Sequence, residues 1–508
     1  MSTSQDDVLA FLARPAAHGG TPVKRVDTHA AAVFLTGDRA LKLKRAVRFS
    51  FLDYSTLDKR KAACEAEIEV NRPFAPDIYR GVVAITREAD GRLAIGGRGK
   101  PVEWAVDMHR FDEERTLDRL AEREGIDAAL ADALARVVAK AHERAPVVEA
   151  APWIAALTTF LDQNAAAFAE TPDLFPVNDA AALDRASRAA LARVTPLLAA
   201  RGARGLVRRG HGDLHLGNIA QIDGKPLPFD AIEFDPLIAA GDVLYDLAFL
   251  LMDLIERKLD AAANVVLNRY LAETCRDDDL DALTALPLFL SLRAAIRAKV
   301  IAAKIANVAA SEREGVMAAA RTYFRLACRL VAPSAPQLVA VGGLSGTGKS
   351  VLARMLAPKL QPAPGAVILR SDVERKAMFG LGETDRLPPD GYAPGVTERI
   401  YALLNEKARR VVAAGHSAIV DAVFARPDER AAVARGAASV SFVGLFLTAD
   451  LDIRLARIGG RTRDASDADT KVALAQESYA IGALDWAEVD ASGTAEQTLA
   501  RAETALER

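Results

Sequence analysis

The sequence predicts two folded parts of different class. An α+β part, made of a small β-rich lobe and a larger helical lobe, comes first, and an α/β part on a parallel sheet follows. Three observations carry this. From residue 338 onward apolar strands and amphipathic helices alternate strictly, as in a parallel sheet covered on both faces. Earlier in the chain a hairpin pattern gives way to long helical periodicity. Between the two, the prolines of Val331-Ala332-Pro333-Ser334-Ala335-Pro336 end a basic helical stretch. With 508 residues the chain exceeds the size at which a single core keeps growing. The expected division is residues 1–330, a linker at 331–337, and residues 338–508.

In chain order, Ala32-Val33-Phe34-Leu35, the turn Thr36-Gly37-Asp38-Arg39 and Ala40-Leu41-Lys42-Leu43 read as a β-hairpin. A helix follows through Cys64 to Asn71, and apolar runs near Val82 and Val102 read as strands. Asp127 is a good N-cap, because Leu130, Leu134, Val137, Val138 and Ala141 recur behind it at helical spacing. In the second part Leu338-Val339-Ala340-Val341 is the first strand, and another ends near Leu369. Ile400, Leu403, Leu404, Val411 and Val412 share a helix face, then Ala418-Ile419-Val420 and the run from Phe442 to Leu447 supply further strands.

Composition narrows the function classes. Lys plus Arg number 65 against 68 Asp plus Glu, a formal charge of -3, and no basic block tracks a phosphate backbone, so nucleic acid is not an expected partner. Cys64, Cys275 and Cys328 are odd in number and widely spaced, which gives neither a disulfide framework nor a zinc pattern and fits a reducing cytoplasm. The first residues carry acids where an export signal carries bases, and Asp246 and Asp253 interrupt the most apolar helical stretch, so no membrane span is expected. His18, His109, His142 and His416 are isolated and read as packing or surface residues, and Trp153 and Trp486 as core or interface aromatics. Oligomeric state is not written in the sequence.

The strongest motif is Gly343-Leu344-Ser345-Gly346-Thr347-Gly348-Lys349-Ser350, a full G-x-x-x-x-G-K-[ST] loop directly after a strand and before a helix. The glycines let successive backbone N–H groups point at phosphate oxygens, Lys349 reaches the outer phosphates and the Ser350 hydroxyl suits magnesium. ATP and Mg2+ are therefore the expected ligands of the second part. Asp372 and Asp421 follow two strands of the same sheet, whose carboxyl ends gather ligands. Asp421 is placed to support magnesium.

A second constellation is His211-Gly212-Asp213-Leu214-His215-Leu216-Gly217-Asn218. Asp213 precedes Asn218 by five residues, the spacing of a kinase catalytic loop, and Asp230 follows twelve residues later after Pro226-Leu227-Pro228-Phe229. Two hard oxygen ligands on adjacent loops suit magnesium. The segment resembles the HGDxHxxN motif of the aminoglycoside phosphotransferase and choline kinase group. That resemblance implies an α+β protein-kinase-like domain followed by an α/β P-loop NTPase domain with a parallel sheet. It further implies that Asp213 accepts the acceptor hydroxyl proton, that Asn218 and Asp230 hold magnesium, and that His211 and His215 brace the loop. Lys42 fits the phosphate-directed lysine and Glu67 its helix partner; Lys44 lies on the same strand face and competes. Asp242 and Asp246 resemble the group's downstream D-x-x-x-D-x-A element, with Asp246 as a brace. Thr28-His29-Ala30-Ala31-Ala32 departs from the group, which often carries a serine there.

The second part also resembles small-molecule P-loop kinases, which implies that Asp372 accepts a proton from an acceptor hydroxyl. Arg457-Ile458-Gly459-Gly460-Arg461-Thr462-Arg463-Asp464 reads as a mobile lid whose Arg461 and Arg463 reach transferring phosphate. The whole resembles bacterial fusions of an aminoglycoside-phosphotransferase-like domain to a P-loop kinase-like ATP-binding domain. The expected activity is a tandem, ATP-dependent phosphotransferase with two Mg-ATP sites acting on the alcohol groups of small molecules. The alternatives are a nucleotide-gated regulatory ATPase or switch, and a polynucleotide kinase-like activity of the second part. The acceptor is not legible.

Overall fold

The computed structural model describes residues 4–506 apart from 29, 50–51, 438–439 and 461–464. The N-terminal lobe is built on an antiparallel sheet. Its strands lie in the order Val23–Asp27, Ala31–Thr36, Arg39–Lys44, Lys100–His109, Tyr79–Arg87 and Leu93–Ile95. The expected hairpin is its centre, with Val33 opposite Lys42 and Phe34 opposite Leu41. Alternation sends Ala32, Phe34, Leu41 and Leu43 to one face, where they bury Val8, Leu9 and Leu12 of the helix Gln5–Leu12. The other face receives the helix Leu57–Asn71 through Cys64 and Ile68.

A helical lobe follows. The Ala128–Arg144 helix begins where expected, and the Asp127 carboxylate accepts the Leu130 N–H at 2.7 Å. The helix Val243–Glu256 runs through the centre, buried along nearly its whole length. Phe289 meets Trp153 and the helix's own Tyr245 edge to face, and Trp153 lies tilted against Tyr245. Among the described residues no helix is long and apolar enough to cross a membrane.

The helix Arg313–Val331 ends at the proline segment, and the strand Gln337–Gly343 opens a five-stranded parallel sheet. Its order is Val367–Arg370, Ala418–Asp421, Gln337–Gly343, Ser441–Thr448 and Ala487–Asp490, so the strand feeding the glycine loop lies in the middle. Val339 and Val341 face Leu352 and Leu356, whereas Leu338 and Ala340 face Ile400, Leu404 and Val411. The second of these faces shares one apolar cluster with the helical lobe.

The contact between the parts is also polar and specific. On the helix Asp260–Thr274, Asn268 donates from Nδ2 to the Ala366 carbonyl at 3.1 Å and accepts the Ile368 N–H on Oδ1 at 2.7 Å. It thereby imitates a neighbouring strand along the open edge of Val367–Arg370, and Asn264 adds a second donor to Ala366 at 3.0 Å. Arg410 bonds Asp281 and Asp277, and Arg269 bridges Asp132 of the helical lobe to Glu383 of the sheet part.

Candidate active sites

In the N-terminal part, Lys42 sits mid-strand opposite the buried Glu67 of the Leu57–Asn71 helix. Lys42 Nζ lies 2.8 Å from Glu67 Oε1 and also pairs with Asp230. Burial pushes the ammonium down, but the charges of Asp230 and Glu67 carry it well above its ordinary value. Lys44, two residues on, takes the other Glu67 oxygen and Glu233, and Tyr54 donates to Glu233 at 2.7 Å. Exposure separates the two lysines: Lys42 is 14% exposed and reaches Asp230, while Lys44 is 3% exposed and closed in by acids.

The loop after the strand Val207–Arg209 is held from below by one helix. Asp246 accepts the His211 and Gly212 N–H groups at 2.8 Å each, and Asp253, two turns later on the same face, accepts the Leu216 N–H at 2.9 Å. The bracing expected of Asp246 is therefore shared with Asp253, which the sequence showed only as a charge interrupting an apolar run. His142 in turn reaches Asp246 and the Tyr270 hydroxyl. His211 is buried, its Nε2–H donating to the Phe229 carbonyl at 2.9 Å, and burial lowers its basicity.

Above these braces Asp213 and Asn218 come together. Asn218 Nδ2 donates to the Asp213 carboxylate and carbonyl, both at 3.0 Å, which turns its amide oxygen away from Asp213. His215 Nδ1 accepts the Gly217 N–H, so its proton sits on Nε2, 3.4 Å from Asp213 Oδ2. Burial pushes the Asp213 carboxyl up, but the His215 hydrogen bond and the charges of His215, His211 and Arg297 outweigh it and hold it down to about 2. Asp230 adopts φ 61, a left-handed conformation uncommon for a non-glycine residue, with its N–H on the Tyr79 hydroxyl at 3.0 Å. Asn71 fixes the next residue by accepting the Ala231 N–H. The oxygens of Asn218 and Asp230 are the hard donors magnesium prefers, few enough to leave positions for phosphate and water.

In the second part the loop from Gly343 to Ser350 wraps the start of the Lys349–Leu356 helix. Gly346 and Gly348 take φ 87 and 97, conformations that side chains resist, and a Cβ on Gly346 would lie 2.7 Å from the Arg454 carbonyl. Lys349 Nζ donates to the Leu344 carbonyl at 3.1 Å, and Ser345 N–H to Gln476 Oε1 at 2.7 Å. Ser350 Oγ lies 2.5 Å from Asp421 Oδ2, a hydroxyl and carboxylate pair that fits magnesium. Arg370 closes the group, donating to Ser350 Oγ at 2.9 Å and to Asp421 at 3.3 Å.

Arg370 escaped the sequence reading. Its signal was its place at the carboxyl end of a parallel strand, the rule that selected Asp372. Asp372 opens the helix Ser371–Met378 in the same cavity of about 1410 Å³ that holds Lys349, Ser350 and Asp421. Burial first, and then the Asp421 charge, raise its carboxyl above the ordinary value. Arg461 and Arg463 lie outside the described residues. The start of the expected lid is helical, since Arg457 to Gly459 finish the helix Leu451–Gly459. Arg457 is tied to the carbonyls of Thr347, Ala491 and Gly493. Phe424, three residues past Asp421, also has positive φ, held between Tyr401 and Trp486.

Residues 338–480 match the AAA domain family. An uncharacterized protein of Mycobacterium tuberculosis (strain ATCC 25618 / H37Rv) is 28% identical over 490 residues, 94% of each chain. Among solved structures, a choline/ethanolamine kinase family protein from Mesorhizobium loti is 14% identical, covering 64% of this chain and 98% of its own, with a TM-score of 0.35. A gluconokinase from Sinorhizobium meliloti 1021 is 20% identical, covering 34% of this chain and 93% of its own, with a TM-score of 0.25. By its own architecture the chain joins an antiparallel sheet lobe and a helical lobe, which close on the loop from His211 to Asn218, to a parallel sheet that carries a phosphate-binding loop.

Proposed function

We propose that the protein is an ATP-dependent tandem phosphotransferase with two Mg-ATP sites, acting on hydroxyl groups of small molecules. The observation behind this reading is that a lysine, hard oxygen donors for a metal and a separate carboxylate converge twice, around Asp213 and around Asp372. At each site magnesium, when bound, would neutralise phosphate charge. The chain's own groups supply the rest. Lys42, held by Glu67, and Lys349 would position phosphates, while Asp213 and Asp372 would orient an acceptor hydroxyl. As the acceptor oxygen bonds to the γ-phosphorus, the bond from that phosphorus to the β,γ-bridging oxygen breaks, its electron pair leaves on ADP, and the hydroxyl proton passes to the carboxylate. The two bases differ: Asp213, held near 2, is a strong orienting acceptor but a weak base, whereas the raised Asp372 is the better proton acceptor. Calorimetric titration with a non-hydrolysable ATP analogue and magnesium is expected to give two sites per chain, and one in Lys349→Ala. One site in the wild type and none in the variant removes the N-terminal site from the reading.

A nucleotide-gated switch is the second reading, favoured by one observation. Arg370, in contact with Ser350 and Asp421, lies 3.9 Å from Glu383, which is bonded to Arg269 of the helical lobe.

A further inference from the structure

Behind the loop that carries Asp213 runs the helix Leu286–Ala302, which bears Arg293 and Arg297 four residues apart and so on one face. Arg293 is used up inside the lobe. Its Nη1 donates to the Gly212 carbonyl at 3.1 Å and its Nε to the Tyr245 carbonyl at 3.3 Å, while Nη2 lies 3.8 Å from Asp246. Arg297 stands one helical turn further on and is held differently. Phe249 and Tyr323 flank its guanidinium, with ring centres 5.9 and 5.8 Å away, and Phe249 also lies 5.6 Å from the ring of His215. The two rings thus fix the group beside the histidine that reaches Asp213.

Among the described residues the Arg297 guanidinium has no hydrogen-bond acceptor and no carboxylate within 4 Å. Its Nε is buried, whereas the two terminal nitrogens, equally unpaired, are open to solvent. The acids of this region are taken or stand farther off. Asp253 accepts the Leu216 N–H and the Tyr323 hydroxyl and lies 3.6 Å from Arg257, and Glu256 feels the Arg297 charge from beyond 4 Å. Asp213 is itself 36% exposed and lies within the field of the same guanidinium. An open arginine fork, oriented by aromatic rings and left without a partner, is suited to a carboxylate or phosphate. The nucleotide phosphates belong on the other side of Asp213, where Lys42 enters from the sheet lobe; Arg297 comes from the helical lobe.

Resting on the phosphotransferase reading of the first site, we propose that its acceptor is a small hydroxylated anion, whose carboxylate or phosphate pairs with the terminal nitrogens of Arg297 while its hydroxyl meets Asp213. A neutral alcohol docked there would strip water from the guanidinium and return no hydrogen bond, and a cationic alcohol would be repelled by it. Arg297 therefore sets specificity by charge. The transfer is the one written above, with the anionic group of the acceptor unchanged.

The test uses the full chain as its Lys349→Ala variant, which empties the second nucleotide site, with magnesium and the non-hydrolysable ATP analogue supplied to the first. A bacterial metabolite extract is divided on ion exchangers into anionic, neutral and cationic pools. Each pool is dialysed to equilibrium against the protein, and compounds enriched on the protein side are identified by mass spectrometry. The same pools are then incubated with ATP and scanned for phosphorylated products that disappear when Asp213→Asn is added. Enrichment of hydroxylated anions is expected, falling at least about tenfold in Arg297→Gln, the scale of one lost hydrogen bond to a charged group, with affinity for the ATP analogue unchanged. Enrichment of neutral or cationic alcohols instead, no enrichment from any pool, or equal enrichment by Arg297→Gln overturns the assignment. So does a fall in kcat or in ATP-analogue affinity with the acceptor KM unchanged, which is the pattern of an arginine on the transferring phosphate. Arg297→Lys keeps the charge without the planar fork and serves if Arg297→Gln fails to fold. It is expected to keep the preference for anions, with KM, or the dissociation constant where no product forms, raised at least about tenfold and kcat changed less; an unchanged constant overturns the assignment. Anions enriched but never phosphorylated sink the phosphotransferase reading of the first site and leave the anion site standing.

Discussion

At the scale of single residues the two carboxylates expected to meet acceptor hydroxyls have been pushed in opposite directions. Asp372 is raised by burial and by Asp421, so the unfolded chain gives up this proton at lower pH than the folded one. Its stability contribution is therefore lost as pH rises through the folded value, and at neutral pH the ionised residue costs the fold. Asp372→Asn is expected to raise the melting temperature, keep ATP binding and lose transfer at the second site by at least about a hundredfold, the scale of a positioned general base. Unchanged turnover would remove it from the mechanism. Asp213 is lowered, so its contribution is present above the ordinary 3.8 and lost only as pH falls through about 2. The acid limb of the first site should not report Asp213 in wild type. His215→Ala removes the hydrogen bond that depresses it and should move that limb of kcat/KM to higher pH, a shift measured directly in the pH-rate profile.

At the scale of elements, the helix Leu57–Asn71 is the keystone of the N-terminal lobe. Glu67 holds two buried ammonium groups from one strand, and Asn71, a turn later, fixes Ala231 beside Asp230. Glu67→Ala leaves both lysines without that partner and should cost about 3–5 kcal/mol in denaturant unfolding. Lys42→Ala should chiefly weaken nucleotide binding, and Lys44→Ala chiefly stability. Much of this was legible. The hairpin, the Asp127 cap and the alternating strands of the second part follow from period and turn chemistry, which are local. The spacing of Asp213, Asn218 and Asp230 is local too, because the three residues lie on one short loop-and-hairpin segment. Asp253, Glu233 and Arg370 were not legible. Each acts through a partner distant in sequence, as Glu233 does with Lys44 across 189 positions, and no periodicity encodes such pairs. The choice between Lys42 and Lys44 stayed open in the sequence for the same reason, since alternation puts both on one face and only the surrounding acids distinguish them.

At the scale of the whole molecule the proline segment suggests two independent units, yet the parts share an apolar cluster and a polar seam. Asn268→Ala breaks hydrogen bonds to Ala366 and Ile368 and should cost about 1–3 kcal/mol, since it leaves the Ile368 N–H at the seam unpaired while Asn264 still donates to Ala366. Differential scanning calorimetry of the full chain should then show the transition of the P-loop part moving down, with the N-terminal lobe unaffected. An unchanged thermogram would mean that the seam does not stabilise the sheet. Expressed alone, residues 338–508 would carry the bare strand edge and the uncovered face.

The strand imitation by Asn268 also bears on how the chain is made. A ribosome releases Asn268 a hundred residues before Ile368, and domains fold in the order in which they emerge. The helix that carries the amide can therefore be in place when the strand arrives, and an edge that could recruit a strand from a neighbouring nascent chain on the same messenger meets its cover first. Moving the two parts onto separate messages would remove that order of events even if every contact in the finished protein were kept.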